Sequence, residues 1–193
     1  DYLWDVGFHW GEWLEPSNTE VDFPAFLAAD KAIVSNAYLY RSARDTAEIA
    51  RVLGRPAPVI SHFRDTAAKA LAAWQEQYLL PDGSLTQASQ ANYVRALSFG
   101  MIPEELVWAS VEQLVKLIEA NGNRLATGFL STPMLLPVLA DHGHADLAYQ
   151  ILFQDQQPSW LVMRDRGATT IWEQWHGVDA EGIPHESLNH YSK

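Results

Sequence analysis

The sequence predicts an all-α fold of antiparallel helix pairs, and three observations carry that prediction. Apolar residues recur at helical spacing through most of the 193 residues. Turn signals built from Gly, Pro, Asn and Asp separate those stretches at short intervals. Stretches suited to extended chain come only near the C-terminus, after Pro158.

Each element follows in order. The opening, down to Asn18, is rich in Trp, Gly and acids and has no helical period, so it reads as a loop. A first helix, capped by Thr19 or Asp22, carries Phe26, Ala29, Ile33, Ala37 and Tyr40 on one face and runs to Leu53, where Gly54 stops it. Pro56 and Pro58 start the second, whose stripe is Ile60, Phe63, Ala67, Ala70, Leu71 and Trp74, and the turn Pro81-Asp82-Gly83 follows it. A third helix is expected over 87–99, ending at Gly100. The fourth opens at Pro103, with Glu104 and Glu105 at the positive end of its dipole. Its apolar face holds Leu106, Val107, Val111, Leu114, Leu117 and Ile118, and Asn121-Gly122-Asn123 terminates it. A fifth over 132–142 and a sixth over 145–153 are separated by Gly143. Residues 160–164 and 169–172 are the strand candidates, giving short extended segments near the C-terminus. Short links make neighbouring helices antiparallel, in a bundle, a solenoid or a closed toroid. The lack of a fixed repeat counts against a solenoid.

Composition narrows the partners. The chain is long enough for one domain with its own core, and it carries 48% hydrophobic and 19% charged residues, a globular balance. Its 24 acidic residues against 13 basic ones give a formal charge of -11, which repels phosphate backbones and anionic lipid. Nucleic acid and membrane are therefore not expected as partners. With no cysteine there is no disulfide framework, thiolate metal site or thiol nucleophile. The alternating donors His142, His144 and Asp146 sit around the Gly143 turn without a further ligand cluster, so no metal site and no cofactor is expected. Compartment is left open, and a start at Asp1 suggests a piece of a longer protein.

The most informative stretch for chemistry is Gly167-Ala168-Thr169-Thr170-Ile171-Trp172-Glu173-Gln174-Trp175, which sets one carboxylate between two indoles. Indole faces cover the apolar C–H faces of a pyranose, and a carboxylate binds hydroxyls or takes a proton from water. A buried edge segment with one solvated acid is the competing reading. The surplus of eight tryptophans leans towards carbohydrate.

Four further segments give the stretch a context: Gly11-Glu12-Trp13-Leu14, Thr127-Gly128-Phe129-Leu130-Ser131-Thr132-Pro133, Pro158-Ser159-Trp160-Leu161 and Ser187-Leu188-Asn189-His190-Tyr191. In this order the five motifs resemble the bacterial α-L-rhamnosidases of glycoside hydrolase family 78, over nearly the whole chain. The resemblance implies part of an (α/α)6 toroid and a glycosidase that removes terminal α-L-rhamnose with inversion. It implies that Glu173 is the general base and that Trp13 and His190 line the sugar pocket, with Glu12 and Trp172 as further substrate-binding candidates. Glu12 stands where the family usually has Asp. The family's general acid lies in an Arg-Asp-Glu-Arg-like motif upstream of the Gly-Asp-Trp loop, and no such motif precedes Asp1. The resemblance therefore places the acid outside this chain, in the rest of the parent catalytic domain, and a partial toroid is expected to self-associate through uncovered helix faces. The alternatives are a non-catalytic helical module that binds glycans or a protein partner, and a toroid hydrolase of another sugar.

Overall fold

A computed structural model describes residues 2–16 and 31–184. Seven helices form among them: α1 Ala32–Val52, α2 Ala57–Tyr78, α3 Gln90–Ser98, α4 Glu104–Ala120, α5 Thr132–Asp141, α6 Ala145–Leu152 and α7 Trp160–Asp165. The predicted start of the first helix before Lys31 and the motif at 187–191 lie outside the described residues. Among the described residues no helix is long and apolar enough to cross a membrane.

The α1–α2 hairpin is the most extensive helix pair, and its sequence explains the close approach. Ala37, Ala43, Ala47 and Ala50 of α1 and Ala67 and Ala70 of α2 are all buried. Small side chains on one face of each helix let the backbones come near and leave room for a few large anchors. Trp74 is such an anchor: it is 1% exposed and donates its indole N–H to the carbonyl of Ile33 at 3.0 Å.

Helix α3 sits at the centre, in contact with α1, α4 and α5. Every residue from Gln90 to Leu97 is buried, so its polar members must find partners inside the protein. Gln90 donates to the carbonyls of Leu117 and Arg124 and accepts from the Ala126 N–H at 2.7 Å. Asn92 donates to the Gln87 carbonyl at 2.9 Å and accepts from Arg95 at 2.8 Å. The helix begins at Gln90, three residues later than the expected range 87–99. Ser89 is extended there and its hydroxyl accepts the Asn92 N–H at 3.1 Å, a side-chain cap that sets the first turn.

The Pro81-Asp82-Gly83 turn brings Leu79 and Leu85 into an antiparallel bridge and then docks on α4. The Ser110 hydroxyl donates to the Gly83 carbonyl at 2.7 Å. A Cβ on Gly83 would stand 2.9 Å from that of Ala109, and its φ is +79°, so both space and backbone require glycine.

Two expectations change. Residues 160–164, taken as a strand candidate, form α7, because Ser159 caps the segment by accepting the Val162 N–H at 3.1 Å. The apolar, bulky composition fits a strand, but the cap starts a helical turn, and among the described residues no neighbouring strand competes for its backbone groups. Residues 169–172 form no strand either; bends lead into Trp172 and Glu173. Trp172 makes only an isolated bridge there, and the β-branched preference of 169–171 is not extended into a strand.

Candidate active site

The carboxylate singled out by sequence lies in a loop beyond α7, and the fold closes around it. Glu173 is 9% exposed, and its Oε1 accepts the indole N–H of Trp13 at 3.0 Å across 160 residues of sequence. A buried carboxylate needs such donors, because desolvation without hydrogen bonds is costly. The single acid between two indoles is thus met by a third indole from the other end of the chain.

The flanking tryptophans serve as struts. Trp175 is fully buried, donates its indole N–H to the Thr127 carbonyl at 2.9 Å and accepts at its own carbonyl from Gln157 at 3.0 Å. Trp160 packs edge-on against it, with ring centroids 5.3 Å apart. Trp172 is 3% exposed and belongs to the same core. The loop before α5 is fixed in turn: the Thr132 hydroxyl donates to the Gly128 carbonyl at 2.7 Å and lies 2.9 Å from that of Thr127.

Gly11-Glu12-Trp13-Leu14 docks directly on that loop. The Trp13 carbonyl accepts the Phe129 N–H at 2.7 Å, over Gly128. A Cβ on Gly128 would collide with that carbonyl and come within 2.9 Å of the Glu15 nitrogen, so a side chain has no room. Glu12, expected at the sugar, turns its carboxylate into the protein. Its Oε1 accepts the N–H groups of Leu130 and Ser131, both at 3.0 Å, while Oε2 pairs with the guanidinium of Arg95. Arg95 is 1% exposed, and the pair is shut from solvent. The phenol of Tyr38 lies beside it; burial raises its pKa, the Glu12 charge adds to this, and the nearby Arg95 opposes it.

Outward from Trp13 the aromatic residues continue in edge-to-face steps, Trp10 at 5.5 Å and then Phe8 at 4.9 Å. Phe8 and Trp10 are more than half exposed, whereas Trp13 is half-buried. Four of the five motifs therefore meet around Glu173. Trp13 and Glu173 come into direct contact, Trp172 lies beneath in the core, Glu12 lies behind Trp13, and His190 falls outside the described residues. Arg95 was missed by the sequence reading. The signal for it is a basic residue in the short helix Gln-Ala-Asn-Tyr-Val-Arg-Ala-Leu-Ser, flanked by Val94 and Ala96 and three residues after Asn92.

His142, His144 and Asp146 lie around the α5–α6 turn, and His144 Nε2 is buried without a hydrogen-bond partner among the described residues. His142 Nδ1 lies 2.7 Å from the Val138 carbonyl, His144 Nε2 lies 3.8 Å from Glu112, and Asp146 occupies the first turn of α6.

Antiparallel helical hairpins whose connecting loops bury a carboxylate among indoles place the chain in the all-α class, with the candidate site on its loops. The family model described as the bacterial alpha-L-rhamnosidase 6 hairpin glycosidase domain matches residues 1–193, and the chain belongs to that family. It is 37% identical over 187 residues to an α-L-rhamnosidase of Streptomyces avermitilis, covering 95% of this chain and 17% of that protein. An α-L-rhamnosidase of Formosa agariphila is 34% identical over 191 residues, covering 94% and 20%. Among solved structures, the Streptomyces avermitilis α-L-rhamnosidase complexed with L-rhamnose superposes with a TM-score of 0.84 at 35% identity, over 99% of this chain and 18% of that one. Native α-L-rhamnosidase from Aspergillus terreus gives 0.86 at 29% identity, over 96% and 21%. The chain thus spans about a fifth of the length of these relatives. Its helices are hairpins of the six-hairpin toroid that these enzymes share.

Proposed function

We propose that this chain supplies the general-base side of the active site of an inverting α-L-rhamnosidase. The observation that carries the reading is the Trp13–Glu173 hydrogen bond at the meeting point of four motifs. Glu173 orients a water on the face of the sugar opposite the leaving group. The water oxygen bonds to the anomeric carbon as the glycosidic C–O bond breaks, Glu173 takes the water proton, and a carboxylic acid gives its proton to the departing oxygen. That acid is assigned to the remainder of the parent catalytic domain, in line with the fraction of the relatives' length the chain covers.

Trp13 and His190 are assigned to the sugar pocket, Trp13 offering an indole face as well as holding Glu173. Glu12, behind Trp13, and Trp172, beneath Glu173, are assigned to supporting the pocket wall and not to contact with the sugar. Ile49, Val52, Leu53, Trp108, Tyr149 and Phe153 are all more than half exposed, which fits helix faces covered by further hairpins. In the isolated chain these same faces favour self-association.

The test uses the longer parent protein and an aryl α-L-rhamnoside. Glu173→Gln is expected to lower kcat by roughly 10² to 10⁴-fold with a much smaller change in KM, and the native enzyme should release β-L-rhamnose first by proton NMR. The 193-residue chain alone should show no turnover. Near-native kcat in Glu173→Gln, or initial release of the α anomer, sinks the assignment. Rhamnose binding without turnover in the parent points instead to a glycan-binding module.

A further inference from the structure

A buried ion pair is an odd element in a helical core. Breaking one is costly, yet apolar residues of matching shape often serve stability as well, so stability alone does not account for it. The Arg95–Glu12 pair has a second property: it ends at the site. Arg95 projects from α3, the helix enclosed on all sides, and is held by Asn92 at 2.8 Å. Its guanidinium takes one oxygen of Glu12, and the other oxygen is taken by two backbone N–H groups at the start of α5. With three donors on two oxygens, the carboxylate has one orientation, and the next residue in the chain is Trp13. The Trp13 backbone is pinned at its carbonyl by Phe129, which leaves its indole N–H aimed at Glu173.

We propose that Arg95 is a positioning residue for the reaction: through Glu12 it locks the 11–14 loop so that Trp13 holds Glu173 in its working orientation. This rests on the general-base reading of Glu173. Arg95 is 1% exposed, and its effect reaches the chemistry through Glu12 and the Trp13 contact. A guanidinium suits the task better than an ammonium, since its planar fork engages Asn92 and Glu12 at once and stays charged when buried. Displacement of a catalytic group by about 1 Å can cost on the order of 10²-fold in rate, which sets the scale.

The experiment is a double-mutant cycle on kcat in the full-length parent, with Arg95→Met, Arg95→Lys, Trp13→Phe and the double variant Arg95→Met/Trp13→Phe. Arg95→Met is expected to lower kcat roughly 30 to 100-fold while KM changes less than about threefold. Arg95→Lys should recover about a third of that loss on a logarithmic scale, because charge returns without the fork. In the Trp13→Phe background, Arg95→Met should cost no more than about threefold further, since both changes break one contact. A purely structural Arg95 gives effects that multiply, and that result overturns the proposal. So does a kcat within threefold of native for Arg95→Met when Glu173→Gln is inactive. If Arg95→Met does not fold, Arg95→Lys decides: unchanged kcat refutes, and a loss of several-fold at unchanged melting temperature supports. Activity in Glu173→Gln itself removes the general-base reading, an outcome separate from any result at position 95.

Discussion

Gly128 offers the most direct test of how the Trp13 loop is seated. A methyl group there would run into the Trp13 carbonyl, stand 2.9 Å from the Glu15 nitrogen and 3.0 Å from Cγ of Glu12, and none of these is the free end of a flexible side chain. Its φ lies outside the left-handed range, so the constraint is space and not backbone conformation. Gly128→Ala must push the 11–15 segment off the loop before α5, costing about 1–3 kcal/mol in overpacking. Losing the 2.7 Å Phe129–Trp13 hydrogen bond adds about 1 kcal/mol. The stiffer unfolded chain returns about 0.4–1 kcal/mol. A net loss of about 1–3.6 kcal/mol follows, or a melting temperature lower by roughly 2–14 °C for a chain of this size. Urea denaturation of the 193-residue chain, followed by tryptophan fluorescence, measures it. Stability within about 0.5 kcal/mol of native would refute the close-approach argument, and with it the claim that backbone contact seats Trp13.

Two further predictions concern the struts and the central helix. Trp175→Phe keeps most of the buried ring but removes the donor to the Thr127 carbonyl, so it should cost about 1–3 kcal/mol, read from the urea midpoint. Ser89→Ala removes the cap of α3 and should cost about 1 kcal/mol, with hydrogen exchange accelerated first at Asn92, whose N–H loses its acceptor.

Helix placement was largely legible because each long helix writes its buried face into the sequence. Ala67, Ala70 and Trp74 of the α2 stripe, and Val111, Leu114 and Ile118 of the α4 stripe, are buried, while Ile60, Phe63, Leu71, Leu106, Val107 and Leu117 are partly buried. The stripe does not encode where a helix starts, so α3 begins later than the expected range and α7 forms where the composition suits a strand. In both cases a serine settled the matter, Ser89 and Ser159, each accepting the N–H three residues on. The candidate site divides along similar lines. Glu173 stood out because its neighbours in sequence are unusual for a carboxylate. Arg95 did not, because its meaning lies in a partner 83 residues away, and no local pattern distinguishes a buried arginine from a solvated one. Glu12 carried a motif position, but the direction its side chain takes depends on α3 and α5 together.

That dependence bears on when the site forms during folding. The Trp13–Glu173 contact spans 160 residues, so closing it costs loop entropy that local structure cannot offset. Glu12 docks only on a completed pair of elements, since one oxygen needs Arg95 on α3 and the other needs the backbone before α5. The loop cannot settle on either half alone without leaving a charge or two N–H groups unsatisfied, and both outcomes are expensive in a buried setting. The carboxylate of Glu173 therefore acquires its Trp13 donor only after the central helix and its neighbour are in place. An arrangement of this kind ties the geometry of the Glu173 carboxylate to the integrity of the helical core, so damage far from Glu173 that loosens α3 should reach it through Glu12 and Trp13.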